Sequence, residues 1–378
     1  MTRRLYLDHN ATSPLRPACR DAMLDAMSAP RNASSVHAEG RAAKQIVEGA
    51  RKRLAAAIGC PPQSIVFTSG GTEADHAGLL GVVRGGPRVR RILVSAIEHP
   101  AVTAAAAASG LPVETVPVTA EGVADLAWLE RRLAGYDAEA EGPFLLALMC
   151  ANNETGVLQP VAEAAAMARR AGGYTLVDAV QAVFKIPLDV STLGADLVVI
   201  SAHKAGGPVG VGALVITPGL GVEPLLGGGG QEENRRAGTH NVPAIAGFGA
   251  LAETASIAEY AALVPIRDRI EAGLPACVNV YGQSASRLPN TTCLTAPGFD
   301  SEAQLMTMDL GGIAVSAGSA CSSGKVKRSG VLTAMGVGED EARCALRISL
   351  GWDTPEDTAE RFVSAWSSEY QRISSRAA

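Results

Sequence analysis

From about residue 64 to residue 217 the chain alternates short apolar runs with segments of helical spacing, and nothing else in it constrains the fold as tightly. The apolar runs are "SIVFTSG", "RILVSAI", "VETVPV", "FLLALMC", "YTLVDAV", "DLVVISA" and "GALVIT". Between several of them lie "TEADHAGLLGVVR", "ADLAWLERRLA" and "PVAEAAAMARRAGG", in which apolar residues recur at helical intervals. Strands without a polar face, separated by helices, are what a sheet covered on both sides requires. The expected fold class is therefore α/β: a mainly parallel seven-stranded sheet with helices on both faces. The last run follows its predecessor through a short Gly/Pro turn. A parallel partner needs a longer crossover, so this strand should be antiparallel.

Beyond a helical stretch near 242–275 the pattern changes. The shorter runs "VNVYG", "NTTCLTA", "IAVSAG" and "ALRISLG" mix with helices, as in a smaller α+β C-terminal domain. In "DTPEDTAERF", Thr354 is placed to cap a final helix, with Pro355 as its first residue and acidic residues in its first turn. A length of 378 residues has room for two domains, and 47% hydrophobic with 19% charged residues places the chain in the soluble globular class.

Net charge is −5, and no Lys/Arg cluster interleaves with aromatics, so no nucleic-acid surface is expected. The alanine-rich stretch from Ala104 to Ala108 is too short to cross a bilayer, so no membrane association is expected either. "MTRRLYLDHN" has no apolar run of the kind a signal peptide carries, which makes a cytoplasmic location the expectation. The seven cysteines are scattered, without C-x-x-C pairs or zinc-finger spacing; neither a disulfide framework nor a metal site is expected.

In an α/β sheet, ligands collect at the carboxyl ends of the strands. Chemistry-bearing residues stand at those ends here. "SIVFT" is followed by Gly71 and Thr72, which open a helix whose free N–H groups can cradle a phosphate. "RILVSAI" leads to His99, and "FLLALMC" to Asn152, Asn153 and Glu154. "YTLV" leads to Asp178 and Gln181, and "DLVVI" to Ser201, His203 and Lys204. Singly, each has a plain structural reading: a solvated turn for Lys204, a satisfied core histidine for His99, a helix cap for Asp178. Together they form a composite site, because burying so many polar groups without a ligand leaves donors unpaired.

Pyridoxal phosphate needs this set: a lysine amine for its aldehyde, an acid for its ring nitrogen, a flat side chain for its ring, and amides with hydroxyls for its phosphate. The dinucleotide alternative is weaker, because "GPVGVG" leads into a strand, not a helix. A second reactive feature is "VSAGSACSSGKVKRSG", where Cys321 lies in a Gly/Ser-rich stretch with Lys325, Lys327 and Arg328 just beyond it. Nearby cations favour its thiolate, although an incidental loop cysteine is equally compatible with these residues alone. Arg347 in "ALRISLG" has the fork that suits a carboxylate.

In this order, "YLDHNAT", "RNASSVHAEGRAA", "FTSGGTEAD", "EHPAV", "ANNETGVLQP", "VDAVQ", "SAHKAGGPVGVGAL", "GGGQEENRRAGTHNV", "VSAGSACSSG" and "LRISLG" resemble the cysteine desulfurases. These are fold-type I pyridoxal-phosphate enzymes of the class V aminotransferase superfamily, and the likeness runs from residue 5 to about residue 355. The resemblance implies that Lys204 joins the cofactor aldehyde, Asp178 meets the ring nitrogen, His99 stacks on the ring and Gln181 bonds its hydroxyl. Gly71, Thr72, Ser201 and His203 would hold the phosphate, and Thr239 would reach the phosphate of a neighbouring subunit, which implies a homodimer. Asn153, Arg347 and Asn32 would position the substrate, and Cys321 would accept its sulfur. The large cofactor-binding domain would span 15–255, with 1–14 and 256–378 forming the small domain that carries the cysteine loop.

The implied reaction takes L-cysteine to L-alanine and leaves a persulfide on Cys321, for delivery to a protein acceptor such as an iron–sulfur scaffold. Selenocysteine lyase activity, or an aminotransferase of the same fold, is the alternative. A non-enzymatic sulfur or iron carrier would need clustered cysteines. Three features depart from the family pattern. Ala33 stands where proline is usual, the pair Asp75-His76 replaces a common Ser-Asn, and the cysteine loop is more basic than in many relatives. The extended tail with which housekeeping members dock a scaffold is not expected, since little chain follows the last helix.

Overall fold

Within the central sheet, neighbouring residues face opposite ways, and the sequence supplies apolar side chains for both directions. The structure, a computed structural model, describes residues 4–86, 88–317 and 328–377. A short first strand, β1 (Leu5–Tyr6), precedes the sheet. The sheet then takes β2 (Ile65–Thr68), β3 (Arg91–Ser95), β4 (Val113–Val116), β5 (Phe144–Ala147), β6 (Tyr174–Asp178), β7 (Leu197–Ser201) and β8 (Gly212–Ile216). These are the seven runs read from the sequence. Their order is β2-β8-β7-β6-β5-β3-β4, with only β8 antiparallel to its neighbours.

Along β7, Val198 and Ile200 enter one apolar cluster while Leu197 and Val199 enter another, so the sheet has a core on each face. The helices Ala38–Ile58 and Val161–Arg170 contribute to the first, and Gly71–Arg84 with Pro100–Ala108 to the second. The chain direction reverses between β3 and β5, since β4 lies outside β3 while β6 and β7 lie beyond β5. Such a switch opens a crevice at the strands' carboxyl ends.

The C-terminal part holds β9 (Asn279–Val280), β10 (Thr291–Thr295), β11 (Ile313–Ala314) and β12 (Ala345–Ser349). β10 pairs antiparallel with β9 and β12, and β11 pairs with β1, which ties the chain's beginning to this region. A third apolar cluster gathers Leu5, Leu7, Phe299, Leu346, Phe362 and Trp366.

The 242–275 stretch is three helices, Val242–Thr254, Ile257–Ala261 and Val264–Ala272. The final helix runs Thr358–Ala377 and so begins later than the Thr354–Pro355 expectation. Thr354 Oγ1 instead accepts the Gly351 N–H at 2.8 Å, which closes a turn ahead of the helix. Thr358 N donates to Pro355 O, which places the first acidic residue of the helix at Glu360.

Candidate active site

The sheet reversal and the segments after β2, β3, β5, β6 and β7 enclose a cavity of about 630 Å³. Gly71 and Thr72 line it, as do His99, Asn153 and the pair Asp178 and Gln181. So do Ser201, His203 and Lys204, with Arg347 arriving from β12. These ten residues, each given a site role in the sequence analysis, thus share one enclosure.

Lys204 sits in a single 3₁₀ turn, His203–Ala205, directly after β7, and Gly206 at φ 93° ends that turn. Its Nζ donates to the carbonyls of Asn10 at 3.0 Å and Ala11 at 2.8 Å. Burial, with the Arg347 charge second, brings its pKa down from 10.5 to about 8, against the opposing pull of Asp178 and Asp8. The solvated-turn reading of Lys204 fails on these observations.

Asp178 ends β6 and is buried, its Oδ1 accepting the Val180 N–H at 2.8 Å. Burial raises its pKa, opposed by that N–H and by His99 and Lys204. Two further buried carboxyls line the same wall. Asp75 has one oxygen without a partner, and Glu98 accepts the Met149 N–H at 2.6 Å through Oε1 while Oε2 has none. Burial drives both upward, Glu98 to about 8, and the Asp178 charge adds to the effect. A wall of this kind favours a cationic or protonated ring nitrogen.

His99 caps the Pro100–Ala108 helix by accepting the Ala101 N–H at Nδ1, which leaves Nε2 as the protonated nitrogen of its neutral ring. Burial lowers its pKa and so keeps the ring neutral.

The Gly71–Arg84 helix begins at Gly70 without a side-chain cap, so its first N–H groups have no side-chain acceptor. A Cβ on Gly71 would stand 2.9 Å from Val180 Cγ2, which explains the glycine. Ser201 Oγ is buried without a hydrogen-bond partner. The free amides, the orphaned hydroxyl, the buried acid and a lysine of depressed pKa fit pyridoxal phosphate in donor type and position.

Arg347 is 2% exposed on β12 opposite Cys293 of β10. Its Nη2 donates to Asp8 Oδ1 at 2.6 Å and its Nη1 to Asn153 O at 3.0 Å. Glu154, also in the lining, accepts Ser329 Oγ at 2.5 Å and is pushed up by burial.

Asn32 does not line the cavity; it is exposed and its Oδ1 accepts the Ser34 N–H at 3.0 Å. Thr239 is likewise exposed and outside the cavity of its own chain. Cys321 lies outside the described residues. Among the described residues no group of acids, histidines and cysteines is placed to hold a metal ion, and the described cysteines form no disulfide.

Asn10 escaped the sequence reading although "YLDHNAT" contains it. Its carbonyl takes Lys204 Nζ and Gln181 Nε2, and its side chain bonds Lys185, Asn290 and Thr291. Lys185 escaped too. A lone cation inside "AVFKIPL", four residues after Gln181, was the available signal.

The sequence profile of the aminotransferase class-V family matches residues 5–362. A cysteine desulfurase of Cereibacter sphaeroides is 40% identical over 361 residues, covering 93% of this chain and 92% of that one. Another, from Sinorhizobium fredii, is 40% identical and covers 94% of each chain. The crystal structure of a NifS-like protein from Rickettsia africae superposes with a TM-score of 0.88 at 35% identity, covering 98% of this chain and 100% of that one. The chain belongs to the aminotransferase class-V family, and within it to the cysteine desulfurases.

Proposed function

We propose that the cavity binds pyridoxal 5′-phosphate on Lys204 and takes sulfur from L-cysteine onto Cys321, releasing L-alanine. Cysteine desulfurase activity is the reaction class of the family, and enzymes of that family use this cofactor. The observation that carries the residue assignments is the convergence on one cavity of Lys204, the buried Asp178 carboxyl and the uncapped helix start at Gly71.

When bound, the cofactor supplies an aldehyde for amines and a ring that draws electrons away from the substrate's α-carbon. Lys204, its pKa brought down to about 8 chiefly by burial, would be the amine that holds the aldehyde, and its Nζ is the base placed to take the substrate's α-proton. Gly71, Thr72, Ser201 and His203 would bind the phosphate, Asp178 the ring nitrogen and Gln181 the ring oxygen. His99 would cover the ring, with its Nε2–H available to donate near the sulfur. Arg347 and Asn153 orient the substrate carboxylate. The Cys321 thiolate bonds to the substrate sulfur as the C–S bond breaks, and the electron pair of that bond stays with the carbon fragment that becomes alanine.

The same proposal divides the chain into a large cofactor domain, 15–255, and a small one of 1–14 and 256–378. The separate apolar cluster around Phe299 and Trp366 supports this division. It makes the protein a cytoplasmic homodimer in which Thr239 serves the neighbouring subunit, and it assigns the persulfide to a protein acceptor such as an iron–sulfur scaffold. Among the described residues no helix is long and apolar enough to cross a membrane.

The test is direct. Purified protein should absorb in the visible, lose that band on borohydride reduction, and release sulfide and alanine from L-cysteine with a thiol reductant. Cys321→Ser should keep the band and lose sulfide. Sulfide release that survives Cys321→Ser overturns the acceptor role, and alanine formed only with an amino-group partner makes the protein a transaminase.

A further inference from the structure

Lys185 has no part in the chemistry above, yet it is 0% exposed in a turn after β6. Its Nζ donates to Gln181 Oε1 at 2.7 Å and to Asn10 Oδ1 at 3.0 Å, and among the described residues no carboxylate pairs with it. A buried ammonium with two neutral acceptors would leave one N–H unpaired and its charge unbalanced. An uncharged amine has two N–H groups, one for each acceptor, and leaves none over. Burial, followed by the charges of Lys204 and Arg347, holds its pKa well below the usual lysine range, in agreement with that count. The preceding Phe184 has φ 62°, a left-handed backbone that costs a bulky residue about 1 kcal/mol or more. The fold maintains this strain where the chain turns Lys185 inward.

We propose that Lys185 is a positioning residue that fixes the orientation of the Gln181 amide, so that Gln181 presents an N–H donor to the ligand in the cavity. Gln181 Oε1 is occupied by Lys185, and Gln181 Nε2 gives one N–H to Asn10 O at 2.9 Å. The second N–H remains for the cavity that Gln181 lines. Turning the amide over would set Oε1 against the Asn10 carbonyl, two acceptors facing each other. That carbonyl also receives Lys204 Nζ, so the same network reaches the reactive amine. The ligand atom it selects is an electron-rich oxygen, and on the cofactor reading above, on which this inference rests, that oxygen belongs to the pyridoxal ring.

The experiment loads apoprotein with pyridoxal phosphate and follows binding and the pH titration of the visible band. Lys185→Met should bind the cofactor about 5- to 10-fold more weakly, the worth of one hydrogen bond, and move the titration midpoint. Lys185→Gln, which keeps an N–H for Gln181 Oε1, should restore both. Lys185→Met combined with Gln181→Ala should bind no more weakly than Gln181→Ala alone, because the two act in series. The role is overturned if Lys185→Met leaves affinity and midpoint unchanged, if Lys185→Gln is as impaired as Lys185→Met, or if the two effects multiply. Should Lys185→Met not fold, the Lys185→Gln comparison still decides. Wild-type protein that takes up no pyridoxal phosphate overturns the cofactor reading itself, a result distinct from these.

Discussion

Lys204 and Arg347 lie 143 residues apart in the chain and meet as two cations in one cavity, each changing what the other can do. Arg347 is the second cause, after burial, of the fall of Lys204 toward about 8. Replacing Arg347 with Gln should therefore raise the Lys204 pKa. Because only the uncharged amine combines with an aldehyde, the midpoint of cofactor loading should move to higher pH in Arg347→Gln, read from the visible band against pH. The same variant should raise KM for cysteine about 10- to 100-fold, as expected when a charge-assisted carboxylate contact is lost. A midpoint that stays in place would show that burial alone sets this amine. Legibility at this scale was uneven. Lys204, His99 and Asp178 announced themselves by ending apolar runs. Asn10 did not, because seven of its hydrogen bonds are long-range and an asparagine in a turn looks like any other. Glu98 was hidden beside His99, since sequence does not tell which of two adjacent polar residues points inward.

At the scale of elements, the segment after β8 shows how a loop can be held as firmly as a strand. Glu232, Glu233 and Asn234 all have positive φ, a costly run for residues other than glycine. What holds it is Glu232, whose carboxylate takes two N–H groups of Arg51, the Phe67 N–H and His240 Nε2. Despite burial, these donors bring its pKa from 4.5 down to about 2. A depressed carboxyl stabilises the fold in full above its unfolded value, and the contribution disappears as pH falls from about 4.5 toward about 2. Glu232→Gln should cost about 3 kcal/mol at pH 7, since it leaves buried Arg51 with the half-exposed Glu48 as its remaining carboxylate partner. The gap from wild type in denaturant melts should shrink as the pH approaches 3, and a gap independent of pH would refute the assignment. Six of the seven sheet strands were legible because they are buried and mostly apolar on both faces, the edge strand β4 by its β-branched residues, and β8 was legible as antiparallel because its connection is short. The start of the last helix was not. In sequence Thr354, with Pro355 after it, has the residue type of a cap, and only its bond to the Gly351 N–H shows that it closes a turn ahead of the helix instead.

For the whole molecule, Thr239 poses the question, being exposed on its own chain and absent from its own cavity. In the proposed homodimer it completes the partner's phosphate site. Lys204→Ala and Thr239→Ala chains, each poor at holding cofactor, should regain one competent site per mixed dimer when refolded together, measured as reducible visible absorbance. No recovery on mixing would remove the cross-subunit role. The junction around Asn10 carries a different consequence, one of timing. The residues that roof Lys204 are made first, but Thr291 and Ser349, which fix them in place, follow Asn10 by 281 and 339 residues. At roughly 5–20 residues per second on the ribosome, the sheet and its reactive lysine emerge well before the last strand that closes over them. The nascent chain thus carries an open, unfinished pocket for much of its synthesis. A chain stalled before β12 would lack Arg347 and would leave the Asn10 N–H without Ser349 Oγ, which separates the birth of the fold from the birth of the site.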